Sequence, residues 1–184
     1  MMATGRKFAR RVMTKDNVVK LSELDAYGCH YAALWLMETG GNPHRSNKYF
    51  NKGLTWHESV AEYSESIAAE LVVARFFDLP IDLYTSKYKI QADVGQALEI
   101  KWTHWSDGQL IVHEYDRNQD IAILVTGQYP YYSIRGWIPV AMAKKDKYRH
   151  HSQSNWWINQ RNLMPINTLI RSNYGQAIAN MPQM

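Results

Sequence analysis

The sequence predicts a mixed α/β (α+β) domain, and three features carry that reading. A capped helical stretch runs from Thr55 to Phe77, short alternating segments punctuated by turn residues follow Pro80, and the composition supplies a core. Of 184 residues, 46% are apolar and 12% aromatic while 21% are charged, which excludes wholesale disorder. That length bounds the chain at one domain with appendages. The longest aliphatic run, Ile121 to Val125, falls far short of the roughly 20 apolar residues of a spanning helix, so no membrane partner is expected. A single cysteine, Cys29, excludes an internal disulfide and a cysteine-rich zinc site, and points to a reducing compartment. Met1 to Met13 hold Arg6, Lys7, Arg10 and Arg11 but no apolar stretch of the secretory kind, so a cytoplasmic location is expected.

Taken in order, Ser22 and Asp25 open a helix through Leu24, Tyr27, Ala32, Ala33, Leu34, Trp35 and Leu36 that halts at Gly40-Gly41. Residues 40 to 53 read as an exposed loop. Thr55 and Glu58 have the spacing of a capping box, and the helix they start runs about six turns without Gly or Pro. Glu58, Glu62 and Glu65 mark a polar side in its first half, whereas its second half is apolar nearly all round. Glu70 is the exception: it projects between Ile67 and Ala74, near Tyr63, Val73 and Phe77. A carboxylate facing apolar neighbours needs a cation or donors, and a core Lys or Arg serves as well as a metal.

Five strands are expected next: Tyr88–Asp93, Leu98–Thr103, Leu110–Tyr115, Ile121–Thr126 and Tyr131–Ile138. Gly95, Asp107-Gly108, Asn118-Gln119 and Gly127 to Pro130 punctuate them. The tail is basic and aromatic, with a short helix expected near Asn167 to Ser172. The organisation is then an accessory helical segment over 1–54, a core over 55–143 and a C-terminal extension over 144–184 packing on that core.

Charge is placed unevenly. Residues 1 to 20 and 144 to 184 each hold six basic residues and one Asp, net +5 apiece, so the middle is −6 within a total of +4. Basic ends around an acidic centre suit a protein that grips a polyanion at its edges and holds a cation between, although a solvated surface with basic tails has the same pattern. Lys144, Lys145, Lys147, Arg149 and Arg161, with Trp156-Trp157, form the candidate nucleic-acid edge. The competing reading is a tail that packs its Trp residues on the sheet, and the two are compatible.

Alternation in Leu98–Thr103 puts Leu98, Ile100 and Trp102 into packing and Glu99, Lys101 and Thr103 on the other face. Asp93 lies just before the turn 94–97, so a hairpin brings it to Glu99. Two carboxylates a few Å apart repel unless a divalent cation sits between them, and hard oxygen ligands suit Mg²⁺. Lys101 beside them positions a water, and Glu70 adds a third acid. A surface hairpin with an ordinary cross-strand ion pair is the bland alternative.

The order Glu70 on a helix, Asp93, then Glu99-Ile100-Lys101 resembles the PD-(D/E)xK nuclease superfamily, the restriction-endonuclease-like fold; Ala92 replaces the Pro that precedes the family's Asp. The runs 108–113 (GQLIVH), 120–127 (DIAILVTG) and 136–138 (GWI) are similar to a small phage and bacterial branch of these nucleases, and the likeness spans residues 55 to 170. The resemblance implies a central mixed sheet of about five strands flanked by helices and a Mg²⁺-dependent deoxyribonuclease, endo- or exonuclease, with Mn²⁺ able to substitute. It further implies metal bound by Asp93, Glu99 and the Ile100 carbonyl, Glu70 on the metal directly or through water, and Lys101 orienting the attacking water. A bacterial cell or phage-infected host is the implied setting, and a homodimer is compatible because cutting two strands usually needs two sites. A non-catalytic nucleic-acid binding or structure-sensing domain on the same scaffold is the alternative.

Asp82, beside Pro80, is a rival for the metal acid, but it is expected to begin a strand rather than close a hairpin. His104, His113, His150 and His151 have no recognisable ligand spacing, and no nucleophile-elbow or phosphate-loop motif is present.

Overall fold

The structure, a computed structural model, describes residues 17–39, 53–85, 91–175 and Ile178. Its first element is the three-residue strand β1 (Val18–Lys20), followed at once by helix α1 (Glu23–Thr39). Ser22 caps α1: the Asp25 carboxylate accepts the Ser22 N–H at 2.8 Å, and Ser22 Oγ accepts the Asp25 N–H at 3.3 Å. Helix α2 (Trp56–Phe77) starts the same way, with the Glu58 N–H on Thr55 Oγ1 at 3.3 Å and the Thr55 N–H on Glu58 Oε2 at 2.7 Å. It ends at Asp78, whose left-handed backbone (φ 57°) lets its N–H reach the Ala74 and Arg75 carbonyls.

Helices α1 and α2 run antiparallel. Arg75 in the last turn of α2 grips Asp25 in the first turn of α1 with both guanidinium arms, one at 2.6 Å. Between them Cys29, Ala32, Ala33 and Leu36 meet Val60, Ile67 and Leu71 in one core. The second half of α2 is buried nearly all round, with Glu70 half-buried and Arg75 exposed, as its apolar run predicts.

The strands are β2 (Leu98–Thr103), β3 (Leu110–His113), β4 (Ile121–Gln128), β5 (Tyr131–Pro139) and, after the short helix α3 (Val140–Ala143), β6 (Asn155–Ile158). A four-stranded mixed sheet has the order β1-β5-β4-β2, with β2 parallel to β4 and the other pairs antiparallel. Strands β3 and β6 pair separately as a two-stranded antiparallel ribbon. The α+β class is therefore present, with two sheets in place of one sheet of about five strands.

Strand β4 divides two cores by strict alternation. Ile121, Ile123 and Val125 face the helices with Leu98, Ile100 and Trp102, while Ala122 and Leu124 face the ribbon with Leu110, Val112, Trp156 and Ile158. Within the expected segment 1–54, residues 17–39 supply an edge strand and a helix that shares the first core. Trp156 from the C-terminal extension fills the second core.

Three local expectations are corrected. Of the expected strand Tyr88–Asp93, residues 88–90 lie outside the described residues and 91–93 are not extended into a ladder; Val94 alone bridges to Leu98. Strand β3 stops at His113 rather than Tyr115, because the Asp116 carboxylate accepts the His113 N–H at 2.8 Å and turns the chain. The helix expected over 167–172 is a 3₁₀ turn, Ile166–Thr168, continued by further three-residue bonds such as Ser172 N–H to the Leu169 carbonyl at 3.1 Å. Among the described residues, no helix is long and apolar enough to cross a membrane.

Candidate active site

Strand β2 is the outer strand of the four-stranded sheet, so one row of its backbone groups has no strand partner there. A tight turn covers the start of that edge: Val94 N–H meets the Leu98 carbonyl at 3.0 Å and Leu98 N–H the Val94 carbonyl at 3.1 Å, with Gly95 at φ 61°. One step further along, the Ile100 N–H donates to Asp93 Oδ2 at 2.7 Å. The Asp93 side chain thus takes the place of a backbone acceptor beside β2, where residues 91–93 form no ladder. In an extended strand a residue's N–H and C=O leave on the same side, so the Ile100 carbonyl shares the free edge with Asp93.

Glu99 and Lys101 occupy the ribbon-facing side of β2, aligned with Ala122 and Leu124 of β4. Glu99 is only 5% exposed. Lys101 Nζ lies 2.8 Å from Glu99 Oε1 and 2.8 Å from Asp116 Oδ2, so one ammonium is shared between two buried carboxylates. Arg117, next in the chain, forms a bidentate pair with Asp120 at 2.8 and 2.7 Å and leans toward the Gln96 carbonyl at 3.4 Å. That Asp120 bond first, against burial, and then the charges of Asp120, Glu99 and Asp93 push the Arg117 pKa up.

Glu70 approaches from the helix side of the same strand. Burial first, then the Glu70 and Asp93 carboxylates, push the Tyr63 hydroxyl up to about 12. Tyr63 therefore lies in the field of both acids, and Asp93 is the acid sensed from both faces, by Tyr63 on one and Arg117 on the other. The structure sets Asp93 against Ile100 and pairs Glu99 with Lys101, along three successive residues of one edge strand. Among the described residues, no group of three or more His, Cys, Asp or Glu side chains is arranged to hold a metal ion. Helix α2 packs on the side of Ile100 and Trp102, while Glu99 alternates away from it. Two carboxylates and a carbonyl remain a fitting donor set for Mg²⁺, which keeps several waters and uses one or two protein carboxylates.

The basic segment starts beside Asp116. Lys144 Nζ donates to the Glu114 carbonyl at 2.9 Å and to the Asp116 carbonyl at 2.5 Å, tying the start of the extension to the residue that shares Lys101. Lys145, Lys147, Arg149 and Arg161 are exposed, with Arg149 stacked 5.4 Å from the Trp156 ring centre. A buried Trp156 and exposed cations thus coexist in the tail.

Asp82 closes its own turn, accepting the Tyr84 N–H at 2.9 Å and the Thr85 hydroxyl at 2.6 Å, and begins no strand. The histidines pack on aromatic rings: His104 on Trp105 at 4.4 Å, His113 on Tyr115 at 5.0 Å and His150 on Trp157 at 4.8 Å. Asp116 is the site residue that sequence reasoning missed. The only hint is an acid one residue beyond an expected strand end, which alternation does not weigh. Compared with known proteins, the chain matches no family model, no curated protein and no solved structure.

Proposed function

We propose that this chain is a divalent-metal-dependent nuclease of the PD-(D/E)xK class that hydrolyses DNA phosphodiester bonds. The observation that carries the reading is the Asp93 carboxylate on the Ile100 backbone at 2.7 Å, with the Glu99–Lys101 pair on the flanking positions at 2.8 Å. Asp93, Glu99 and the Ile100 carbonyl are the ligands for Mg²⁺, with Mn²⁺ as a substitute. A divalent cation held there polarises a phosphoryl oxygen and lowers the pKa of a bound water. Lys101 donates a hydrogen bond that aims the attacking water at phosphorus, while Glu70 adds negative charge from the helix face. Lys145, Lys147, Arg149 and Arg161 meet the phosphates on either side of the cut, and Lys144 holds the segment that carries them. The core then corresponds to the restriction-endonuclease-like one, working in a bacterial cell or phage-infected host.

A homodimer belongs to this reading, since two strands call for two sites. Helix α1 offers a surface for it: Leu24, Tyr27, Tyr31 and Trp35 recur at helical spacing opposite Cys29 and Leu36 and are 48 to 79% exposed. Its charged residues, Glu23, Asp25 and Glu38, are all acidic, which disfavours a polyanion on this face.

The second reading, a non-catalytic nucleic-acid binding or structure-sensing domain, is favoured by one observation: Asp93 caps a backbone N–H and Lys101 bridges two buried carboxylates, so each has a structural task. Calorimetric titration with Mn²⁺ separates the two. The nuclease reading requires uptake that disappears in Asp93→Ala and Glu99→Gln, whereas heat that is absent, or unchanged in both variants, favours the pure binder.

A further inference from the structure

We propose that Asp116 is a positioning residue that holds Lys101 in place when Glu99 turns to a metal ion, an inference that rests on the nuclease reading. An ammonium has three donors and no acceptor, and a carboxylate recruited as a metal ligand gives up part of its capacity to accept from Lys. With Glu99 as its only acid, Lys101 would lose its anchor at the moment its position matters. The second acid removes that conflict, since Asp116 Oδ2 keeps the ammonium at 2.8 Å whatever Glu99 binds.

Asp116 is built for a fixed position. Its side chain is 0% exposed, against 6% for Glu99 and 15% for Lys101. The same Oδ2 accepts the His113 N–H at 2.8 Å, and the Asp116 N–H returns to the His113 carbonyl at 3.1 Å, closing a tight loop. Lys144 clamps that loop from outside through the Glu114 and Asp116 carbonyls. The chain of contacts is therefore Lys144 to the Asp116 backbone, Asp116 carboxylate to Lys101, and Lys101 to Glu99. Asp116 is not itself a ligand in this account, because the oxygen that faces the site already receives two donors and the ammonium stands between it and Glu99.

The test uses the full chain and compares Asp116→Asn, Asp116→Glu and Lys144→Met with wild type. Asp116→Asn is expected to lower kcat for DNA cleavage on the order of 100-fold, as an ångström of misplacement does, with KM and Mn²⁺ affinity within about twofold of wild type. Asp116→Glu restores charge and recovers most of kcat, and Lys144→Met lowers kcat in the same direction by less. An unchanged kcat in Asp116→Asn overturns the proposal, as does a parallel loss of Mn²⁺ affinity, which would make Asp116 a ligand. If Asp116→Asn does not fold, Lys144→Met decides alone, and wild-type kcat in that variant overturns the proposal. If the wild type cuts no DNA, the nuclease reading fails separately, and nitrogen NMR of the Lys101 ammonium decides. A hydrogen-bonded signal kept in Glu99→Gln but lost when Asp116 or Lys144 is changed supports the role, and the reverse pattern overturns it.

Discussion

Replacing Asp93 separates its structural task from its chemical one. In the absence of metal, Asp93→Ala strips the half-buried Ile100 N–H of an acceptor held at 2.7 Å. Leaving such a donor unsatisfied costs about 1–3 kcal/mol. Asp93→Asn keeps a side-chain oxygen in position and loses only the charge assistance, about 1 kcal/mol. For a chain of this length each kcal/mol moves Tm by roughly 2–4 °C, so Asp93→Ala is expected to melt well below Asp93→Asn. Metal reverses the comparison. At Mn²⁺ concentrations about 100 times its Kd, binding stabilises the wild type by about 2.7 kcal/mol, a rise of roughly 5–10 °C, and leaves Asp93→Asn where it was. Differential scanning calorimetry with and without Mn²⁺ reads both effects. A wild type whose Tm ignores Mn²⁺, or an Asp93→Asn variant that rises as far as wild type, would falsify the assignment of Asp93 as a ligand.

Three further outcomes follow from the packing. Burial first, then the nearby Asp25 charge, push the Cys29 thiol up to about 12, so a thiol reagent at pH 8 should label it only on unfolding; labelling at the rate of a free thiol contradicts the α1–α2 interface. Burial pushes the Asp25 carboxyl up, but the Arg75 and Ser22 donors outweigh it and hold the pKa below its ordinary 3.8. The stabilisation it gives is therefore present above that value and lost as pH falls through the folded pKa, and Arg75→Met should flatten acid unfolding curves below about pH 4 while costing only about 0.2–1 kcal/mol at pH 7. Replacing Tyr27 and Tyr31 of α1 together with Glu should convert a dimer to a monomer by sedimentation equilibrium and remove any dependence of Tm on protein concentration; a wild type monomeric at every concentration contradicts the α1 pairing.

The parts legible in the sequence are those where local chemistry and tertiary structure agree. Ser22 with Asp25 and Thr55 with Glu58 announce both long helices because the capping hydrogen bonds span three residues. Strands β2, β4 and β5 announce themselves by alternation, since each is long enough to show two faces. Strand β1 has three residues and no pattern to read, and β6 hides in a basic aromatic stretch because Trp156 and Trp157 pair with β3 rather than with their sequence neighbours. At the site, the spacing Asp93, Glu99, Lys101 was readable because a short turn and one strand hold all three. Asp116 and Lys144 were not, since their roles depend on contacts between segments 15 to 43 residues away from Lys101. For Glu70, helix periodicity gives its direction on α2 but not which face of β2 that helix covers.

The most direct measurement is DNA cleavage by purified wild-type protein with Mg²⁺ or Mn²⁺, set beside Asp93→Asn and the charge-preserving Lys101→Arg, all confirmed folded by their melting curves. Metal-dependent cutting by wild type, reduced at least about 100-fold in both variants, is the expected result. Cutting that needs no metal, or that survives in both variants, contradicts the account.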